Sequence, residues 1–143
     1  MNGGLFHGAS AEVAVSAETA FAYLADGLKQ SDWALGSWER EQIGERLFRG
    51  VSLFDGSETL VRISANPDAL LVDYEVGPSL EALLRVNSAR VVPGALLGRA
   101  GEGCVVTLMK WRTPSQGDAE WRRACLTFEV EIHMIKGRLE LGF

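Results

Sequence analysis

The stretch AEWRRACLTFEVEIHMIKGRL, Ala119–Leu139, decides the architecture of this chain. Its apolar residues Trp121, Cys125, Phe128, Ile132, Ile135 and Leu139 recur at spacings of four and three. That period predicts one long α-helix with a continuous buried stripe. Asp118 stands where a cap belongs. Lys136 and Arg138 sit at the end where the helix dipole favours cations. Gly137 is the only weak point near its end.

The rest of the chain reads mostly as strands. Ala9–Val15 alternates Ala11, Val13 and Val15 against Ser10, Glu12 and Ala14, the pattern of a half-buried strand. Ser16 then predicts an N-cap for a helix carrying Ala17, Phe21 and Leu24 on one side, stopped at Asp26-Gly27. LKQSDWAL, Leu28–Leu35, predicts a second short helix ended by Gly36. From Trp38 onward strands follow. Arg46–Phe54 and Glu58–Ala65 flank Asp55-Gly56, a strong hairpin signal. The turn Asn66-Pro67-Asp68 leads into Leu70–Val76, which alternates cleanly and stops at Gly77-Pro78. Leu83–Val92 and Cys104–Thr113 are joined by a loop containing Gly94, Gly98, Gly101 and Gly103, and Pro114 ends the sheet.

A length of 143 residues fits one domain, 1–143, within the usual range of roughly 100–200. With 47% hydrophobic and 23% charged residues the chain carries enough apolar material for a core. A net charge of −5 and a pI near 5.0 repel phosphate backbones, so nucleic-acid binding is not expected. No apolar run approaches the roughly 20 residues of a membrane span. The opening MNGGLFHGAS lacks a basic n-region, so no signal peptide is expected and the cytoplasm is the expected compartment. Two cysteines without CxxC spacing, Cys104 and Cys125, are expected as free thiols. Two histidines and scattered acids make a metal site unexpected, and no cofactor motif is present.

The element order is strand, two short helices, about six more strands and a long helix. It is carried by VAVSAETAFAYLAD (Val13–Asp26), Trp33, the strand pair around Val105–Arg112 and WRRACLTFEVEIHMIKGRLE (Trp121–Glu140). In these pieces, which reach across nearly the whole chain, it resembles the START-related superfamily that includes birch-pollen-type allergens. The nearest branch is the bacterial polyketide cyclase/dehydrase-like proteins. The resemblance implies an α+β helix-grip fold, with a curved antiparallel sheet of about six or seven strands wrapped on the C-terminal helix and an apolar cavity between them. Members bind lipids, sterols, hormones or polyketides; some catalyse cyclisation or aromatisation, and others act as co-chaperones. The resemblance carries no catalytic residue onto this chain.

Charged residues taken as outward markers assign the inner wall. On that basis Phe48, Phe54, Ile63, Val72 and Tyr74 face inward from the middle strands. Lys110 and Arg112 outward put Met109 and Trp111 inward on the last strand. Cys125, Phe128 and Ile132 face them from the helix, and Trp38 stands at the expected pocket mouth. Arg40, Arg85 and Arg90 lie on poorly alternating strands and are candidates to reach a ligand carboxylate. Arg122, Arg123, Glu129, Glu131, His7 and His133 read as surface or flanking residues. A wall without ionisable groups favours a binder or carrier of a small hydrophobic molecule, as a monomer or weak homodimer. A cyclase or dehydratase acting on a polyketide-like substrate is the alternative, and gains if Arg40, Glu41, Arg85 or Arg90 is buried beside Tyr74. A co-chaperone-like interaction module is the third reading.

Overall fold

Ala9 and Val13 bury the inner side of the first strand, β1 (Phe6–Val13). It starts earlier than the pattern suggested and stops at Val13, because all eight residues pair antiparallel with the last strand, from Phe6 opposite Trp111 to Val13 opposite Cys104. Ser16 caps α1 (Ala17–Ala25), its hydroxyl accepting from the Thr19 amide at 3.1 Å. The helix buries Ala17, Ala20 and Leu24. The expected second helix is a single 3-10 turn, Lys29–Asp32. The structure, a computed structural model, describes residues 4–142.

Five strands follow: β2 (Trp38–Gly44), β3 (Leu47–Val51), β4 (Glu58–Asn66), β5 (Leu71–Gly77) and β6 (Leu84–Pro93). β7 (Cys104–Trp111) and α2 (Asp118–Leu141) complete the order. Gly56, at φ +74°, supplies the left-handed position of the β3–β4 turn, as its Asp-Gly pair predicted. Gly117, not Asp118, is the N-cap of α2; Asp118 opens the first turn and accepts from Arg112 Nη2 at 2.8 Å. Two 3-10 turns, Leu80–Ala82 and Gly94–Leu97, gave no clear signal in the sequence.

The strands form one seven-stranded antiparallel sheet in the order β1-β7-β6-β5-β4-β3-β2. α2 packs chiefly on β1 and β7, and α1 chiefly on β6. The core joins Leu24, Val72, Val106, Ile132 and Ile135. This is the helix-grip α+β fold expected from the order of elements. No helix among the described residues is long and apolar enough to cross a membrane.

One strand has the opposite phase from that expected. Cys104, Val106 and Leu108 are buried, and Lys110 follows them inward. Met109 therefore lies on the outer phase, and Trp111 is 40% exposed, its ring tilted against Phe6 with centroids 5.5 Å apart. A shift of one residue exchanges the two faces of a strand. The expectation failed because Lys110 was taken as an outward marker. Thr107, bonded to Ser10 at 2.8 Å, belongs to the outer set and was the contrary signal.

Candidate functional site

A cavity of about 380 Å³ opens between the sheet and the first half of α2. Its volume falls within the usual range for small-molecule sites, about 300–1,000 Å³. Apolar surface comes from Val61 on β4, Val76 on β5, Leu108 on β7, and from Trp33, Phe54 and Phe128. The polar groups come from separate elements, so the fold brings them together.

Arg40 reaches inward from an irregular part of β2. Glu39 stands at φ +47° and the pairing with β3 slips between Trp38 and Glu41. A bulge of this kind re-aims the side chain beside it. The Arg40 Nε donates to Ser37 O at 3.2 Å and Ser37 Oγ at 3.1 Å, and Nη1 donates to Gly27 O at 3.3 Å and to Gln30 Oε1. Ser37 is held there because Gly50 lets the chain approach closely. A Cβ on Gly50 would stand 2.3 Å from Ser37 Oγ and 3.0 Å from backbone atoms. Burial pulls the Arg40 guanidinium down to about 10.

Lys110 extends from β7 with Nζ donating to Asn87 Oδ1 at 3.0 Å and 5.1 Å above the centre of the Phe128 ring. Burial lowers its ammonium below the ordinary lysine value. Glu131 is 5% exposed, with Oε2 accepting from the Leu35 amide at 2.8 Å. Burial raises its carboxyl to about 7, against the opposing influence of the Leu35 amide, Lys110 and Arg40. Tyr74 donates to Leu24 O at 2.6 Å, and burial raises its phenol above the usual range. Among the described residues, Trp33 Nε1 is the buried side-chain polar atom without a hydrogen-bond partner. At the mouth, Arg123 lies 4.7 Å over the Phe54 ring, near Asp55 and Glu120.

Of the sequence-assigned lining residues, Phe54, Tyr74 and Phe128 line this cavity. Phe48, Ile63, Val72 and Ile132 are buried in the core without lining it. Phe48 packs against Gly27, where a Cβ would come within 2.2 Å of its ring. Trp38 and Cys125 are half-buried outside the lining, and Met109 and Trp111 lie on the opposite phase of β7. Arg85 and Arg90 are exposed. His133 is exposed, and His7 bonds Glu129 Oε2 at 2.7 Å.

The expected wall without ionisable groups is therefore corrected by Arg40, Lys110 and Glu131. Glu131 carried a readable signal. At 3.6 residues per turn it sits about 60° from Phe128 and about 40° from Ile135, on the inward face. Among the described residues, no group of three or more His, Cys, Asp or Glu side chains is placed to hold a metal ion.

No family model matches the chain, and no curated protein does. Solved structures do. The protein XoxI from Bacillus cereus superposes with a TM-score of 0.72 at 14% identity, over 98% of this chain and 99% of that one. A START superfamily protein from Mycobacterium smegmatis gives 0.70 at 15% identity, over 98% and 100%. The Zhui aromatase/cyclase from Streptomyces sp. R1128 gives 0.67 at 16% identity, over 94% and 92%. At these identities the likeness is one of fold: the chain has the helix-grip fold found in START-like and aromatase/cyclase structures.

Proposed function

We propose that this chain binds a small, largely apolar molecule in the cavity between the sheet and α2. The carrying observation is the open-mouthed cavity of about 380 Å³ walled by Trp33, Val61, Leu108 and Phe128, with a few polar groups among them. The START-like neighbours support the reading by analogy of fold. A monomer or weak homodimer is the proposed state. The cytoplasm is the proposed setting, in keeping with Cys104 and Cys125 as free thiols.

A panel of hydrophobic ligands should raise the melting temperature in proportion to the logarithm of ligand concentration. Ala124 lines the cavity from α2. Ala124→Trp is expected to remove the melting shift while leaving a folded protein, because the new ring and the ligand compete for one volume. Val72 is fully buried away from the cavity, so Val72→Trp is expected to overpack the core instead. A panel that shifts neither the native chain nor the variant would contradict the binding reading.

Acid–base chemistry on a polyketide-like substrate is the second reading. Glu131 favours it, since a buried carboxyl raised to about 7 is suited to proton transfer near neutrality. Arg40 and Lys110, in the same cavity, could stabilise a developing enolate. Release of a cyclised or dehydrated product, lost in Glu131→Gln, would establish it.

A further inference from the structure

The cavity holds two half-buried cations whose hydrogen-bond partners are all neutral. Arg40 donates only to the oxygens of Ser37, Gly27 and Gln30. Lys110 donates to Asn87. Glu131 lies close enough to influence both electrostatically, yet forms no ion pair with either. Buried charges are ordinarily matched by an opposite charge in contact. Here donors are left over. Arg40 Nη2 makes no hydrogen bond to the protein, and Lys110 Nζ uses one of its three donors. Trp33 Nε1 adds a third donor group, in a residue 3% exposed and lining the same cavity. Asn87 Oδ1 is engaged by Lys110, Gln30 Oε1 by Arg40 and Glu131 Oε2 by the Leu35 amide, while Glu131 Oε1 takes no hydrogen bond from either cation.

We propose that the occupant is an apolar molecule bearing one carboxylate, seated against Arg40 and Lys110 with the Trp33 indole N–H as a neutral donor; this rests on the small-molecule reading above. A planar carboxylate offers paired acceptors to a guanidinium and an ammonium. Leu108, Val61 and Phe128 receive the apolar body. A phosphomonoester would bring a second negative charge towards Glu131.

The site links binding to protons. Glu131 is faced by Arg40 from β2, Lys110 from β7 and Tyr74 from β5, while Asp55, Glu120 and Arg123 stand at the mouth. A ligand carboxylate beside Glu131 disfavours its ionised form. Binding therefore takes up a proton above about pH 7, the value to which burial has raised that carboxyl. Affinity for the acid is expected to rise about tenfold from pH 8 to pH 6.

The test is calorimetric titration of the native chain with 2-naphthoate, 2-naphthamide and 2-naphthyl phosphate. Naphthoate is expected to bind at least tenfold more tightly than the amide at pH 6, and more tightly than the phosphate. Glu131→Gln is expected to abolish the pH dependence of naphthoate binding. Lys110→Met is expected to weaken naphthoate at least tenfold and the amide by much less, so that the preference for the acid over the amide falls. Equal binding of acid and amide to the native chain overturns the carboxylate assignment while cavity binding stands. Preference for the phosphate overturns the single-carboxylate class. Binding of neither naphthoate nor naphthamide overturns the proposal, and the small-molecule reading falls with it only if the wider hydrophobic panel also fails.

Discussion

Ile135→Asp is expected to lower stability by about 4 kcal/mol and the melting temperature by more than about 10 °C. Ile135 is fully buried in the C-terminal half of the α2 stripe, within the cluster that joins the helix to the sheet and α1. The change removes apolar contacts and introduces a carboxylate that the core cannot pair. Phe128→Asp is expected to cost less, since Lys110 Nζ already lies 5.1 Å from that ring and can approach a carboxylate. Chemical denaturation of both variants checks the order. A melting temperature unchanged in Ile135→Asp would contradict the placement of α2.

Glu131 makes stability depend on pH in an unusual direction for a carboxylate. Its folded-state value is raised from 4.5 to about 7, so the folded chain binds more protons than the unfolded one between those values. Stability attached to this group is complete below pH 4.5 and is lost as pH rises through about 7. The loss amounts to about 3 kcal/mol at pH 8. Glu131→Gln keeps an acceptor for the Leu35 amide and removes the titration. The variant is expected to match the native chain near pH 4 and exceed it by about 3 kcal/mol at pH 8. Parallel stability curves for the two proteins from pH 4 to pH 8 would show that Glu131 is not the group responsible.

Elements set by local chemistry were legible. Ser16 capped its helix, Asp55-Gly56 made its turn, and the apolar spacing of α2 gave a helix of nearly the expected length. Of the cavity's polar groups, Lys110 and Glu131 were harder, because each breaks the rule used to read it. Lys110 points inward, so treating charge as an outward marker inverted β7 and put Met109 and Trp111 on the wrong side. Arg40 was a candidate because its strand alternates poorly, and it reaches the cavity from a bulge beside the positive φ of Glu39. Glu131 lay on the inward stripe by spacing alone, and its charge concealed it. Tyr74 and Phe128 were found because residue type and phase agreed at those positions. Lys110 and Glu131, which local patterning misplaced, both line the cavity, where they stand in place of the apolar residues of a plain core.

The central claim is that a ligand occupies this cavity, and the four tryptophan indole N–H resonances test it directly. Trp33 lines the cavity with its Nε1 unpartnered, whereas Trp111 packs against Phe6 on the other side of the sheet. In an NMR titration with 2-naphthoate, the Trp33 indole proton is expected to move downfield as it gains an acceptor, with the Trp111 resonance unchanged. Ala124→Trp should suppress that shift. Saturable movement of Trp111 with Trp33 unmoved would place the ligand outside the sheet and contradict the account.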